Sequence, residues 1–173
     1  HFFYKFPHNV ALFLNLDIPA ALNQACFVGG IHSRLACATG KGGNILMIIG
    51  PRGDGVIAPE DQAILRGIGA WMRANGESIY GCDRSPLPVQ PWGASTRKGN
   101  QLYLHVFNWP ADGKLVVAGL RSNALGARLL HGGDIGIHRL NTDDTERTLP
   151  ATAPDTIDTV VVLDFPAQIA ANK

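Results

Sequence analysis

The second half of the chain alternates between hydrophobic and polar positions with a period of two. Successive side chains of a strand point to opposite faces of a sheet, so this period predicts β-strands. Turn residues such as Pro, Gly, Asn and Asp separate the alternating segments. The pattern predicts an antiparallel sheet or small β-sandwich, with strands at 101–107, 115–117, 127–130, 134–138 and 156–164.

An apolar run, Asn44-Ile-Leu-Met-Ile-Ile49, precedes this region and is closed by Gly50-Pro51. A short run with apolar residues on both faces predicts a strand buried on both sides. Gly53-Asp54-Gly55 then predicts a turn, because Gly supplies a positive φ and Asp can cap its own backbone.

A helix is predicted over residues 59–75. Pro59 suits the first turn, and Glu60 and Asp61 lie where the helix dipole favours negative charge. Gly76 is expected to end the helix in a left-handed cap. The apolar positions form one stripe at helical spacing: Ile64, Leu65, Ile68, Trp71 and Met72. A buried strand followed by such a helix is half of a βαβ unit, so the predicted fold class is α/β followed by all-β.

The remaining segments are less regular. Residues 1–40 show no clean period, apart from a short helix predicted over 30–39 that ends at Gly40. Residues 81–98 contain prolines and glycines at a density that disfavours a helix or central strand, and are interpreted as a linker. The predicted domains are therefore residues 1–80, a linker at 81–98, and a β-domain at 99–173.

Composition narrows the class of protein. The chain has 173 residues, 46% of them hydrophobic and 17% charged, and a formal net charge of +1. These values exclude a disordered tail and a strongly basic nucleic-acid-binding module. No stretch approaches the roughly 20 apolar residues that span a bilayer. The three cysteines show neither a disulfide framework nor the spacing of a zinc site. No metal or cofactor is expected.

Two segments invite a ligand-binding interpretation. Residues 38–43 contain Gly-Lys-Gly-Gly, but a phosphate loop needs Gly-Lys-Ser/Thr opening a helix, so a simple turn is favoured. His131 and His138 flank a predicted hairpin with Asp134 between them. Without a third positioned ligand, a polar sheet face is favoured over a metal site.

His105 shares a strand face with Tyr103 and Phe107. Core packing or a partner surface is favoured over catalysis for that face. Trp92 and Trp109 cluster with these aromatic residues, and indole rings can stack on sugars. They are the candidate substrate-binding residues, although a role in sealing the joint between the two domains is favoured.

Glycosidases need two carboxylates about 5 to 10 Å apart across the scissile bond. The acids nearest the α/β part are Asp54, Glu60, Asp61, Glu77 and Asp83, and no pair stands out by spacing.

Several segments, taken in order, resemble the C-terminal end of the glycoside hydrolase family 29 α-L-fucosidases. The resemblance covers residues from about 40 to about 165, roughly three-quarters of the chain. The matching segments are Gly42-Gly-Asn-Ile-Leu-Met-Ile-Ile-Gly-Pro51, Asp54-Gly-Val-Ile-Ala-Pro-Glu60, Ile68-Gly-Ala-Trp-Met72, Asn75-Gly-Glu-Ser-Ile-Tyr-Gly81, Pro91-Trp-Gly93, Thr96-Arg-Lys-Gly99, Leu102-Tyr-Leu-His-Val-Phe-Asn-Trp-Pro110, Pro154-Asp155 and Ile157-Asp-Thr-Val-Val-Val-Leu163.

The resemblance implies a fold and an activity. Residues 42–51 and 59–75 would be the last βα unit of a (β/α)₈-like barrel, followed by a C-terminal antiparallel β-sandwich. The family hydrolyses α-L-fucosides of glycans with retention, through an aspartate nucleophile and a carboxylic acid/base. Members are commonly secreted, periplasmic or lysosomal, and a homo-oligomer is compatible with the resemblance.

Two departures from the family bear on activity. Asp17, the only acid in residues 1–40, matches neither catalytic motif, so no catalytic residue is assigned to this chain. Ile48 stands where the family usually has Asn, which puts an aliphatic group near the expected mouth of the barrel. The isolated chain is therefore expected to be inactive, and residues 1–50 are expected to pack poorly or pair with another chain. The alternative function is a non-catalytic β-sandwich that binds carbohydrate or a partner.

Overall fold

The first half of the protein is a parallel α/β unit. The computed structural model describes residues 9–13, 24–48 and 51–171. Strands β1 (Asn9–Phe13) and β2 (Asn44–Ile48) pair in parallel, with Asn9 opposite Asn44. Helix α1 (Gln24–Gly40) forms the crossover between them, and α2 (Pro59–Asn75) follows β2. Parallel strands need a crossover connection of this kind, so β1–α1–β2 is a βαβ unit.

The sequence predicted part of this unit. The strand predicted over 44–49 is confirmed at Asn44–Ile48, and the helix predicted over 59–75 is confirmed. Helix α1 is longer than the helix predicted over 30–39, because it begins at Gln24. Strand β1 was missed, since the apolar residues around it follow neither a helical nor a strand period.

Helix α1 ends in a Schellman motif centred on Gly42. The amide of Gly43 donates to the carbonyl of Ala38 and the amide of Gly42 to that of Thr39, both at 2.8 Å. Gly42 has a φ of 72°, a left-handed conformation that favours glycine. Residues 38–43 thus end α1 and lead directly into β2.

Helix α2 begins as predicted and ends differently. Pro59 opens it, and Glu60 and Asp61 occupy its first turn. The left-handed cap predicted at Gly76 is wrong, because Gly76 has φ −59° and continues into a 3-10 turn, Gly76–Ser78. A Cβ at Gly76 would lie 2.9 Å from the ring of Tyr80, and this exposed side chain would have to shift to make room for it.

The second half consists of two antiparallel sheets. The first sheet has the order β3-β4-β9-β6 and the second the order β5-β8-β7. The strands are β3 (Gly93–Lys98), β4 (Gln101–Val106), β5 (Lys114–Val117), β6 (Gly126–Leu129), β7 (Gly136–Arg139), β8 (Thr145–Thr148) and β9 (Thr159–Asp164). The antiparallel architecture predicted from the sequence is confirmed.

Three details of that prediction differ from the structure. Gly93–Lys98, assigned to the linker, is strand β3 and pairs along its whole length with β4. The predicted hairpin of 127–130 and 134–138 is reduced to one antiparallel bridge, because β6 pairs with β9 and β7 with β8, in different sheets. A single bridge, Arg128 to Asp134, joins the two segments. Strand β8 was missed because Thr145–Thr148 is polar and charged.

A hydrophobic core fills the space between the two sheets, which makes this half a β-sandwich. Side chains from both sheets contribute, including Leu104 and Val161 from the first sheet and Leu115 and Val117 from the second. Burial of these side chains stabilises the sandwich by about 1.5–3 kcal/mol each.

The outer face of the first sheet packs on the helices. Tyr103, Val160 and Val162 form one cluster with Trp71 of α2, and Leu35 of α1 packs against it. Both faces of β4 and β9 are therefore covered, which is why nearly all their residues are buried. This contact is called the joint below.

The expectation that residues 1–50 pack poorly is wrong for 31–40. Ile31, His32, Ala36 and Ala38 of α1 are buried, and Ile45 and Met47 pack against Ile31 and Ile64. These residues are buried by packing at the joint, which the sequence did not predict. In the described part of the chain, neither helix has the length and apolar character needed to cross a membrane.

Candidate functional site

The loop from β2 to α2 lies at the carboxyl end of the parallel strands, where βα loops carry the active sites of barrel enzymes. The loop is held by its own hydrogen bonds: the Arg52 amide donates to the Val56 carbonyl at 2.9 Å, and the Val56 amide to Asp54 Oδ1 at 3.0 Å. Gly55, with φ 80°, completes the predicted turn. The side chains of Val56 and Ile57 are exposed. The loop thus presents a fixed surface at that end of the unit.

The acids singled out from the sequence have structural roles. Asp54 caps the turn, and it is the only acid in residues 51–58. Asp83 forms an exposed ion pair with Arg97 at 3.4 Å, and Glu77 lies 4.0 Å from Arg128. A retaining glycosidase needs two carboxyl groups about 5–5.5 Å apart. Loop 51–58 cannot supply such a pair by itself.

Two sequence features that bear on catalysis fall where the structure gives no side chain. Asp17 lies outside the described residues. Ile48 is the last residue of β2, and its side chain lies outside the described part of the chain.

The two candidate sugar-binding tryptophans lie at the sandwich core. Trp92 is only 5% exposed, and its indole N–H donates to the Val116 carbonyl at 2.8 Å. Trp109 is partly buried against the same core and donates to the Pro150 carbonyl at 3.1 Å. Neither belongs to the joint, so the favoured role as a seal between the domains is wrong, and the buried ring of Trp92 offers no face to a sugar.

The histidines near β7 do not form a site. His131, Asp134 and His138 are exposed, and the two histidines belong to a turn and to β7 rather than to facing strands. Among the described residues, no group of three or more His, Cys, Asp or Glu side chains could hold a metal ion. The glycine-rich segment 38–43 uses the amides of Gly42 and Gly43 to close α1, so these amides do not face a phosphate.

The joint contains a buried polar network centred on His105. His105 Nδ1 lies 2.8 Å from Asp158 Oδ2, and both side chains are fully buried. His105 Nε2 lies 3.4 Å from Thr96 Oγ1, whose own proton is donated to the Ser78 carbonyl at 2.6 Å. The Asp158 carboxylate accepts a hydrogen bond from His105 Nδ1. The network ties β3, β4 and the start of β9 to the segment after α2.

An aromatic stack extends this network into the helices. His32 of α1 stacks on Trp71 of α2 with ring centroids 4.6 Å apart, and Trp71 lies 6.3 Å from His105. Burial lowers the pKa of His32, and the negative charges of Asp158 and Asp155 oppose this only in part. His32 is therefore held as the neutral imidazole, which suits its stack on Trp71.

Sequence reasoning placed His105 correctly in a packed face but missed its partners. Asp158 is 53 residues away along the chain, and its only sequence signal is an acid inside the apolar segment 156–164. His32 lies in the helix predicted over residues 30–39, but no pattern in the sequence marks it as buried.

Comparison with known proteins connects this architecture to one family. The alpha-L-fucosidase family model matches residues 30–77, which span most of α1 to the end of α2. Human tissue alpha-L-fucosidase is 37% identical over 101 residues, which cover 55% of this chain and 21% of the human protein.

Solved fucosidases share the fold across the helices and the sandwich. The GH29 alpha-L-fucosidase of Bacteroides thetaiotaomicron is 31% identical with a TM-score of 0.75, covering 81% of this chain and 32% of that one. Alpha-L-fucosidase isoenzyme 1 of Paenibacillus thiaminolyticus is 33% identical with a TM-score of 0.72, covering 91% of this chain and 39% of that one.

The chain spans about a fifth of the length of the curated relatives it matches and about a third of the solved ones. The family model, the relatives and the solved structures together show that this chain is similar to part of the glycoside hydrolase family 29 α-L-fucosidases.

Proposed function

We propose that this chain is the scaffold portion of a retaining α-L-fucosidase that acts on fucosylated glycans. In this proposal β1–α1–β2–α2 supplies the final strands and helices of the catalytic barrel, and the β-sandwich buttresses those helices. The observation that carries it is the joint, because it packs a sandwich onto a βαβ unit in a chain that matches GH29 fucosidases in both parts.

The geometry of the parallel unit supports a place at the edge of an active site. Loop 51–58 lies at the carboxyl end of β2, and in barrels of this class that end faces the substrate. Its exposed side chains, Val56 and Ile57, would border the sugar or its leaving group. The nucleophile and the acid/base would come from the remainder of the barrel, as the family resemblance implies.

The non-catalytic binding module receives no support from the comparisons. It depended on a surface formed by Trp92 and Trp109. Since Trp92 is buried, that surface does not exist as proposed.

A hybrid enzyme tests the proposal. This chain would replace the matched third of the Bacteroides thetaiotaomicron fucosidase in one continuous polypeptide, and kcat/KM would be measured on an aryl α-L-fucoside. We expect measurable turnover, because the sandwich and the two helices reproduce the part removed. A hybrid that is folded by circular dichroism and still inactive would contradict the proposal.

A matched pair of variants tests whether turnover of the hybrid depends on an intact joint. Val162→Asp places a charge in the fully buried joint and should abolish turnover of the hybrid. Leu125→Asp introduces the same charge at a side chain that is 72% exposed and should leave kcat/KM within about twofold, as surface changes usually do.

A further inference from the structure

Arg147 of β8 is a cation enclosed in the β-sandwich. Its side chain is 0% exposed. Nη1 donates to the carbonyl of the preceding residue, Glu146, at 3.2 Å. Nε and Nη2 have no hydrogen-bond partner in the described part of the chain. Enclosing an unpaired charge is costly, so these two donors require an acceptor.

Thr145 adds a third unpartnered polar atom on the same side of β8. Residues two apart on a strand share a face, and Thr145 and Arg147 are both buried while their neighbours are not. The Thr145 hydroxyl is buried and lacks a partner among the described residues. Three hydrogen-bonding atoms on one buried face thus lack a partner among the described residues.

The cross-strand neighbours of these two residues supply no acceptor side chain. Arg147 lies opposite Leu115 of β5 and Ile137 of β7, and Thr145 lies opposite Val117 and Arg139. Leu115 and Val117 belong to the sandwich core. This part of the inner face therefore combines apolar walls with two guanidinium groups.

No negative charge offsets Arg147 in the described structure. Burial and the positive charge of Arg139 lower the pKa of Arg147 to about 10, and no carboxylate counteracts them. The nearby acids are engaged elsewhere: Glu146 lies 3.8 Å from Lys114, Asp143 pairs with Arg121 at 3.0 Å, and Asp144 accepts from Asn141 at 2.8 Å. Arg139 itself donates to the carbonyls of Leu120 and Arg121.

We propose that Arg147 Nε and Nη2 and the Thr145 hydroxyl form a binding site for a small inorganic anion of the size of chloride. An anion would satisfy the donors and the charge together, whereas a neutral water would satisfy only the donors. The full burial of Arg147 excludes sugars and phosphate esters, which could not reach it without opening the sandwich. The proposal is independent of fucosidase activity.

Halide dependence of thermal unfolding tests the site in the whole chain. Sodium chloride and sodium bromide would be compared with sodium gluconate at equal ionic strength, because gluconate is too large to enter. Ligand binding to the native state alone raises Tm in a saturable way. We expect a saturable rise of roughly 3 °C with either halide and none with gluconate. Equal effects of halide and gluconate would overturn the proposal.

Variants assign the effect to the site. Thr145→Val removes the hydroxyl at constant shape and should weaken halide affinity severalfold, and Arg147→Met should abolish the halide effect. Arg34→Met, an exposed change on α1, should leave it intact.

Crystals grown in bromide keep the test valid if Arg147→Met fails to fold. An anomalous peak within hydrogen-bond distance of Arg147 Nε or Nη2 is the expected result. A water without anomalous signal there, or no density, would overturn the proposal.

Discussion

His105 and Asp158 form a fully enclosed pair at the joint, and each depends on the other for its hydrogen bond. Removing one partner of such a pair leaves the other buried and uncompensated. The alternation of residues 101–107 correctly indicated that His105 lies on a packed face. The partner could not be read from the sequence, because strand pairing between β4 and β9 brings it from 53 residues away.

The first prediction concerns this pair. Asp158→Ala should lower the free energy of unfolding by about 3–5 kcal/mol, because it leaves His105 buried in the joint without its hydrogen-bond partner. Asp83→Ala removes the carboxylate of an exposed pair with Arg97 and should cost at most about 1 kcal/mol. Urea denaturation of both variants measures the two losses of unfolding free energy. Equal losses would show that the buried pair stabilises the protein no more than the exposed pair does.

The second prediction concerns His32 and acid. Burial lowers its pKa in the folded state, so the unfolded chain binds a proton more readily. Stability is therefore full above the unfolded pKa of about 6.5 and falls as the pH drops below it, towards the lowered folded value. Denaturant midpoints measured from pH 7.5 to 5 should show this decline.

Two variants identify the group responsible for the acid sensitivity. His32→Phe keeps an aromatic ring on Trp71 and removes the titrating group, so the decline should become shallower. His138→Gln, at an exposed histidine on β7, should leave the slope unchanged. A wild-type slope retained in His32→Phe would assign the acid sensitivity to another residue.

Helix and strand boundaries were predictable where local chemistry decides them. Pro59 with two acids marked the start of α2, and Gly53-Asp54-Gly55 marked the turn before it. Strand β3 was not predicted, because the prolines near it are typical of a linker. Its strand conformation is stabilised by pairing with β4. Strand β8 was hidden because its polar sequence includes an arginine that points inward. Tertiary contacts, not local preference, determine these two strands.

The third prediction concerns two glycines in and just after α1. Gly42 adopts φ 72° in the Schellman motif, so Gly42→Ala should destabilise the protein by about 1 kcal/mol. Gly30 lies inside α1, and no heavy atom lies within 4 Å of the position that a Cβ would take there. Gly30→Ala should instead stabilise by up to about 1 kcal/mol. Thermal unfolding of the two variants should shift in opposite directions, and shifts of the same sign would contradict the assigned end of α1.

At the scale of the whole molecule, the joint unites two parts that the sequence separated by a linker. The sheet of the sandwich is covered by its own core on one face and by α1 and α2 on the other. Sequence periodicity indicated both parts, and the ordered motifs indicated the resemblance to the fucosidases. The contact between the parts was not predictable, since it depends on side chains from four elements that lie far apart along the chain. The division into residues 1–80, 81–98 and 99–173 stays a prediction, although Gly93–Lys98 of the predicted linker forms strand β3.

In the proposed division of labour, this chain is a scaffold and the catalytic carboxylates lie elsewhere in the fucosidase. The most direct test is an assay of the purified 173-residue chain on an aryl α-L-fucoside at high protein concentration. We predict no hydrolysis above the uncatalysed rate, although the protein folds, because loop 51–58 supplies only Asp54 where two carboxyl groups are needed. Sustained turnover that co-purifies with the chain would contradict this division of labour.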